Sequence, residues 1–254
     1  MPCLLKGWFK QFIPLETTEA IVLQTIKYGD SSLIAHCFTD RFGRQTYMLR
    51  GILKAKRKGG LQKSYFQPLT ILEVEAAQQP SDRLGYIKEA RVAYPFKKLP
   101  FAVHKSTLAL FIAEILSQVI NEELQSNSML FNFLRNSFIL LDESEKIGNF
   151  HLFFLMQLTK HIGFFPLIEN PNHAYFDLKN GHSTALAPAE HFLEGSMKSL
   201  WVALCGMKFD NIEHININKS DKKKLLEQLL FYYQLHLQNF ESPKSISVLY
   251  EVFN

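Results

Sequence analysis

The sequence predicts a two-domain α+β chain, with a five-stranded OB-type β-barrel followed by an all-α helical domain. Three observations carry that prediction. Residues 19–97 hold five short, apolar, β-branched runs separated by turn residues. After Pro100 the apolar period changes from two to about 3.6. Hydrophobic residues make up 47% of the 254, including 22 Phe, enough for a sizeable core. Many Phe fall in the second half, which implies helices buried against one another or an apolar groove that accepts a partner. The expected division is an extension at 1–18, a barrel domain at 19–97 and a helical domain at 98–254.

The extension is moderately apolar, carries Pro2 and Pro14, and shows no clean period. The first strand is Ala20–Ile26, followed by a turn at Tyr28–Ser31. Ser32–Thr39 and Arg44–Leu49 form a hairpin around Asp40-Arg41-Phe42-Gly43, where Gly43 suits a positive φ. Gly51–Lys63 is basic and Gly-rich and reads as a mobile loop. A fourth strand lies within Phe66–Glu75, and a fifth, Tyr86–Tyr94, is stopped by Pro95. Five strands close most readily into a barrel, because closure removes their edges.

Helical spacing then places helices at Ala102–Glu123, Ser128–Leu141 and Phe150–Ile162, the last apolar nearly all round. Gly163 and Pro166 end it. Asn170–Ala187 is polar and reads as a loop excursion. Pro188 opens a helix to Cys205. Ser220-Asp221 caps a last long helix, Lys222–Gln238. A final apolar turn holds Val248, Leu249 and Val252.

The net charge is +4, from 28 basic and 24 acidic residues. Eight cations, Arg41, Arg44, Arg50, Lys54, Lys56, Arg57, Lys58 and Lys63, fall between Arg41 and Leu72, a span with no Asp or Glu. The other 20 basic and 24 acidic residues net −4. Charge concentrated in one segment points to a polyanion, and a barrel strand feeding a cationic loop can track a phosphate backbone. Of the neighbouring aromatics, Tyr28, Tyr47, Tyr65 and Phe66 are expected mainly in the core. Phe42, in the turn, is the best candidate to stack on a base.

Several other chemistries are weakly supported. Gly29-Asp30-Ser31 resembles the nucleophile block of a class of serine hydrolases, but Asp210 and His214 are wrongly spaced for its base, and no parallel sheet is expected. His173, His182 and His191 lack a Cys or carboxylate at ligand spacing, so no metal is expected. Asp142, Glu143 and Glu145 read as a solvated turn between helices. No phosphate-cradling GxxxxGK[ST] occurs. Cys3, Cys37 and Cys205 are far apart and imply no disulfide framework. No leader peptide and no apolar run of spanning length is seen, so a cytoplasmic protein with no membrane partner is expected.

The blocks Ala20-Ile21-Val22-Leu23, Tyr28-Gly29-Asp30-Ser31-Ser32 and Phe38-Thr39-Asp40-Arg41-Phe42-Gly43 resemble the N-terminal barrel of the RecO family. Gly51 before the basic run and Gln67-Pro68-Leu69 after it continue the resemblance. So do Leu158–Pro166, with its Gly-aromatic-x-Pro ending, Phe176-Asp177-Leu178 with Gly181, and Pro243-Lys244-Ser245. The family often carries a four-cysteine zinc module after the Gly-aromatic-x-Pro block. Asn170–Ala187 has no Cys, so a metal-free segment without cofactor is expected.

The resemblance implies a non-catalytic, nucleoid-associated bacterial recombination mediator. Such a protein binds single- and double-stranded DNA, anneals strands, contacts RecR and SSB, and indirectly serves RecA. The rival reading is an adaptor whose Phe-rich helices dock a partner such as the acidic, apolar tail of SSB.

Overall fold

Alternation of buried and exposed residues lays the N-terminal strands into one antiparallel sheet. In this computed structural model the described residues are 14–54, 61–78, 83–120, 126–207 and 217–253. The strands are β1 (Leu15–Tyr28), β2 (Ser32–Thr39), β3 (Gly43–Leu49), β4 (Ile71–Ala77) and β5 (Tyr86–Val92), in the order β3-β2-β1-β4-β5. β1 starts at Leu15, which pairs with Ala77, so residues 15–18 of the expected extension are strand. Residues 1–13 lie outside the described residues.

β1 is buried on both faces. Ala20 and Val22 pack inside the sheet with Ala35, Cys37, Tyr47 and Val74. Ile21 and Leu23 pack outward onto the helices with Phe38, Leu69 and Ile71. A bulge between Val22 and Gln24 accompanies this two-sided burial.

The sheet does not close into the expected barrel. Its edge strands β3 and β5 meet at a single parallel bridge, Tyr47 to Gly85. There Met48 N–H donates to the Gly85 carbonyl at 2.9 Å and Gly85 N–H to the Thr46 carbonyl at 2.9 Å. β3 ends two residues later, where Gly51 (φ +69°) turns the chain away before a ladder can extend. Even this bridge depends on a missing side chain. A Cβ on Gly85 would lie 2.5 Å from the Ala77 carbonyl oxygen and 3.1 Å from the Tyr47 ring.

Six helices follow among the described residues: α1 (Val103–Val119), α2 (Ser128–Glu143), α3 (Phe150–His161), α4 (Gly195–Cys205), α5 (Lys219–His236) and α6 (Ile246–Phe253). α3 is the central one, with Phe150 and Leu152 through Met156 all buried. The expected loop at 170–187 contains most of a small sheet, β6 (Tyr175–Asp177), β7 (His182–Thr184) and β8 (Phe192–Glu194), ordered β7-β6-β8. Strands of three residues are too short to show a period. Their hold is tertiary: Phe176 packs on Trp201 and Tyr232, and the Asp177 carboxylate accepts from the N–H groups of Lys179 and Asn180 at 2.9 Å each. Because 192–194 pair with β6, α4 starts at Gly195 rather than at Pro188. α5 starts at Lys219, capped by the Asn218 side chain accepting from Asp221 N–H, so Ser220-Asp221 is inside the helix.

Of the acids at the end of α2, Glu143 and Glu145 are exposed as expected, but Asp142 is not solvated. Asp142 is 1% exposed and accepts backbone N–H bonds from Lys97, Lys98 and Leu99 at 2.9, 2.8 and 2.6 Å. The buried Lys105 of α1 donates to the carbonyls of Asp142 and Ser144, both at 2.7 Å. Burial alone would raise the Asp142 pKa. The three N–H bonds, with Lys105 beside them, outweigh it and hold the carboxyl below its ordinary value. At the surface the Tyr94 hydroxyl donates to Glu143 and the Lys98 ammonium pairs with Glu145. Three carboxylates thus fasten the segment leaving the sheet to the end of α2. A similar device holds the tail, where Glu114 of α1 accepts from Lys244 N–H, Ser245 N–H and the Ser245 hydroxyl at 2.7, 3.0 and 2.6 Å.

Candidate nucleic-acid interface

β3 separates the acid-free segment into two groups. The six residue steps from Gly43 to Leu49 span about 20 Å. Arg41, Phe42 and Arg44 lie at the hairpin end of the strand, and Arg50, Lys54 and Lys63 at the other. The hairpin group has partners within the fold. Thr39 Oγ accepts from Phe42 N–H and donates to the Gly43 carbonyl, fixing the turn. Arg41 donates to Glu16 at 3.4 Å and to the Thr17 carbonyl at 3.3 Å, and lies over the Phe42 ring. Arg44 donates to the Ile120 carbonyl at 2.6 Å, at the end of α1. Phe42 is half-buried rather than exposed.

The other end is open. Gly51 N–H donates to the Ser32 hydroxyl, Leu53 N–H to the Ser31 carbonyl and Lys54 N–H to the Gly51 carbonyl, which together place Lys54 beside Arg50. Lys63 begins a short 3-10 turn anchored by the buried Phe66. Arg50, Lys54 and Lys63 line one cleft of about 200 Å³ with Leu61 and Gln62. Arg50 and Leu61 also line an adjoining cleft of about 390 Å³ with Met48, Leu84, Gly85 and Tyr86. Lys56, Arg57 and Lys58 lie outside the described residues, but Lys54 and Leu61, on either side of their segment, both line the smaller cleft.

The aromatics divide as chemistry requires. Tyr47 and Phe66 are buried and Tyr65 half-buried, while Tyr28 is 56% and Tyr86 52% exposed. Tyr28 ends β1 at the same end of the sheet, opposite Ser32. Tyr86 was not among the residues expected to meet a ligand. Its signal is Leu84-Gly85-Tyr86, where the glycine lets the start of β5 approach β3 and leaves Tyr86 lining the same cleft as Arg50.

The outer face of β4 and β5 has the opposite sign. A groove there is lined by Glu73, Glu75 and Glu89, with Arg91 paired to Glu73 at 2.6 Å. Lys88 pairs with Glu75 at 3.0 Å. Two of the three glutamates are thus neutralised, and Glu89 leaves that face slightly negative where the β3–β5 end is cationic.

Gly29-Asp30-Ser31 is a turn, with Gly29 at φ +60° and the Ser31 carbonyl bonded to Leu53. Asp210 and His214 lie outside the described residues. No group of three or more His, Cys, Asp or Glu converges among the described residues, and His191 packs against Phe231. Burial pushes the Cys37 and Cys205 thiols up to about 12, so neither is a ready nucleophile. No described helix is long and apolar enough to cross a membrane. Most Phe of the helices are core, Phe131, Phe138, Phe150, Phe153 and Phe154 among them, rather than the lining of a groove.

The chain is similar to known proteins over most of its length. Residues 14–96 match the family described as recombination protein O, N terminal, and residues 101–245 match its C-terminal counterpart. The DNA repair protein RecO of Christiangramia forsetii is 39% identical over 236 residues, 93% of this chain and 98% of that protein. RecO of Flavobacterium psychrophilum is 39% identical over 237 residues, with the same coverage. RecO of Bacteroides fragilis is 34% identical over 245 residues, 94% of this chain and 100% of that protein.

Proposed function

The chain belongs to the RecO family, which mediates recombination in DNA repair, and from that membership we propose how its surface does so. DNA is held at the β3–β5 end of the sheet by Arg50, Lys54 and Lys63, joined by Lys56, Arg57 and Lys58 of the intervening segment. Tyr86 and Tyr28 are the stacking surfaces. Both single and double strands bind through phosphate contacts, and the rings favour single strands, whose bases are free to stack. The protein catalyses no chemical step. It anneals complementary strands and, with RecR, helps RecA load onto single strands coated with SSB. It works in the bacterial cytoplasm, at the nucleoid. The sheet domain, 19–97, carries DNA, and the helical domain, 98–254, carries partner contacts.

The observation that carries this reading is the cleft in which three cations of the acid-free segment meet next to an exposed tyrosine. With about five phosphates neutralised, affinity for single-stranded DNA falls with salt at a log–log slope of about −3.5. Replacing Lys54, Lys56, Arg57 and Lys58 by Ala should flatten that slope and impair annealing of SSB-coated strands. An unchanged slope would overturn the assignment.

A further inference from the structure

Away from the sheet, the starts of α3 and α5 and the last turn of α6 enclose a cavity of about 120 Å³. Lys219, Lys222 and Lys223 of α5 line it, and among the described residues no Asp or Glu does. Gly148 is so near that a Cβ there would lie 3.3 Å from Lys222 Nζ. The first turns of α3 and α5 both border this space; the α5 start is already capped by Asn218 with Asp221 in its first turn. The α3 start has no side-chain cap, and its partial positive charge of about half a unit is left for a ligand.

Two residues lining the cavity carry buried polar atoms without a partner, a second and independent sign. His151 is 5% exposed, and its Nδ1 atom is buried without a partner. The Tyr250 hydroxyl is likewise buried and unpartnered. Buried polar atoms are ordinarily hydrogen-bonded, so two orphans in one cavity indicate a group they are built to meet. Burial, with Lys222 beside it, lowers the His151 pKa to about 3, so the ring is neutral and can offer one N–H. Glu227 is the nearest acid acting on Tyr250 and does not line the cavity. Three ammonium groups leave excess charge around a carboxylate but match a dianion better.

We propose that this cavity binds a phosphate group, either as inorganic phosphate or as the terminal phosphate of a nucleic-acid strand. The site is separate from the sheet cleft and lies on the helical domain.

The test titrates the full-length chain with inorganic phosphate by calorimetry and follows the His151 ring by NMR. Saturable binding is expected. The His151 pKa should rise, because the anion offsets the charge of Lys222. Lys222→Gln should weaken binding about tenfold. Its affinity for a 5′-hydroxyl oligonucleotide, held at the sheet, should stay the same. The exposed Lys223→Gln gives the same reading if Lys222→Gln fails to fold. A 5′-phosphate that strengthens oligonucleotide binding in the parent but not in the variant identifies the strand end as the ligand. Phosphate binding without that gain identifies free phosphate. Absence of saturable binding and of any His151 shift at millimolar phosphate overturns the proposal, as does binding unchanged in both variants.

Discussion

Replacing Asp142 by Ala removes, in one step, the acceptor of three backbone N–H groups where the sheet hands over to the helices. Leu99 is 5% exposed and Asp142 1%, so water replaces that acceptor poorly. A buried donor left unmade costs about 1–3 kcal/mol, and bonds to a charged acceptor are the stronger kind. The three bonds, at 2.9, 2.8 and 2.6 Å, together set an expected loss of about 3–6 kcal/mol. The buried Lys105 ammonium also loses its nearest carboxylate, which adds to the loss. Asp142→Asn keeps one acceptor oxygen and should lose about half as much. Urea unfolding followed by the fluorescence of the buried Trp201 measures both. Against a total stability of about 5–15 kcal/mol, the Ala variant is close to unfolding. The pH dependence has a fixed sign. The folded carboxyl titrates below its unfolded value of about 3.9. Its stabilisation is therefore complete above that pH and is lost as pH falls through the lower folded value. An Ala variant within about 1 kcal/mol of the parent, with unchanged acid unfolding, would refute the assignment of Asp142 as the fastening point.

Three further outcomes are expected. Arg41→Ala should leave the salt slope of single-strand binding unchanged, whereas Arg50, Lys54 and Lys63 replaced together by Ala should reduce its magnitude by about 2; fluorescence anisotropy across a salt series reads both. Gly85→Ala drives a Cβ into the Ala77 carbonyl and should cost about 1–3 kcal/mol by urea unfolding. The same substitution should weaken oligonucleotide binding, because it shifts Tyr86, which lines the same cleft as Arg50. Glu114→Ala frees the start of α6 and should cost about 1–3 kcal/mol, with faster amide exchange confined to residues 244–253 as its signature.

Strands and long helices were legible because their periods extend over many residues. The apolar alternation of β2 and the helical spacing of α1 to α3 survive any choice of neighbours. What escaped was fixed by partners distant in sequence. β6, β7 and β8 are held by Trp201 and Tyr232, some 25 and 55 residues onward. Asp142 looked like a surface acid because its three donors lie about 45 residues earlier. The barrel failed to close because strand count sets only the need for closure. Whether two edges run alongside each other depends on where each strand ends, and β3 ends two residues beyond its one bridge.

The same logic governs the charged segment. A run of cations that brackets a strand cannot be one patch, since the strand holds its two ends about 20 Å apart. Which end remains available to a polyanion is decided by what else the fold brings there. At the hairpin end β1 supplies Glu16 and α1 supplies the Ile120 carbonyl, and Arg41 and Arg44 are taken up by them. At the other end Tyr86, Leu61 and Leu84 line one cleft with Arg50, and among the described residues no acid lines either cleft. The absence of Asp and Glu from residues 41–72 therefore matters only where no other part of the chain supplies a counter-charge. That condition, rather than the number of cations, is why we propose the β3–β5 end as the site.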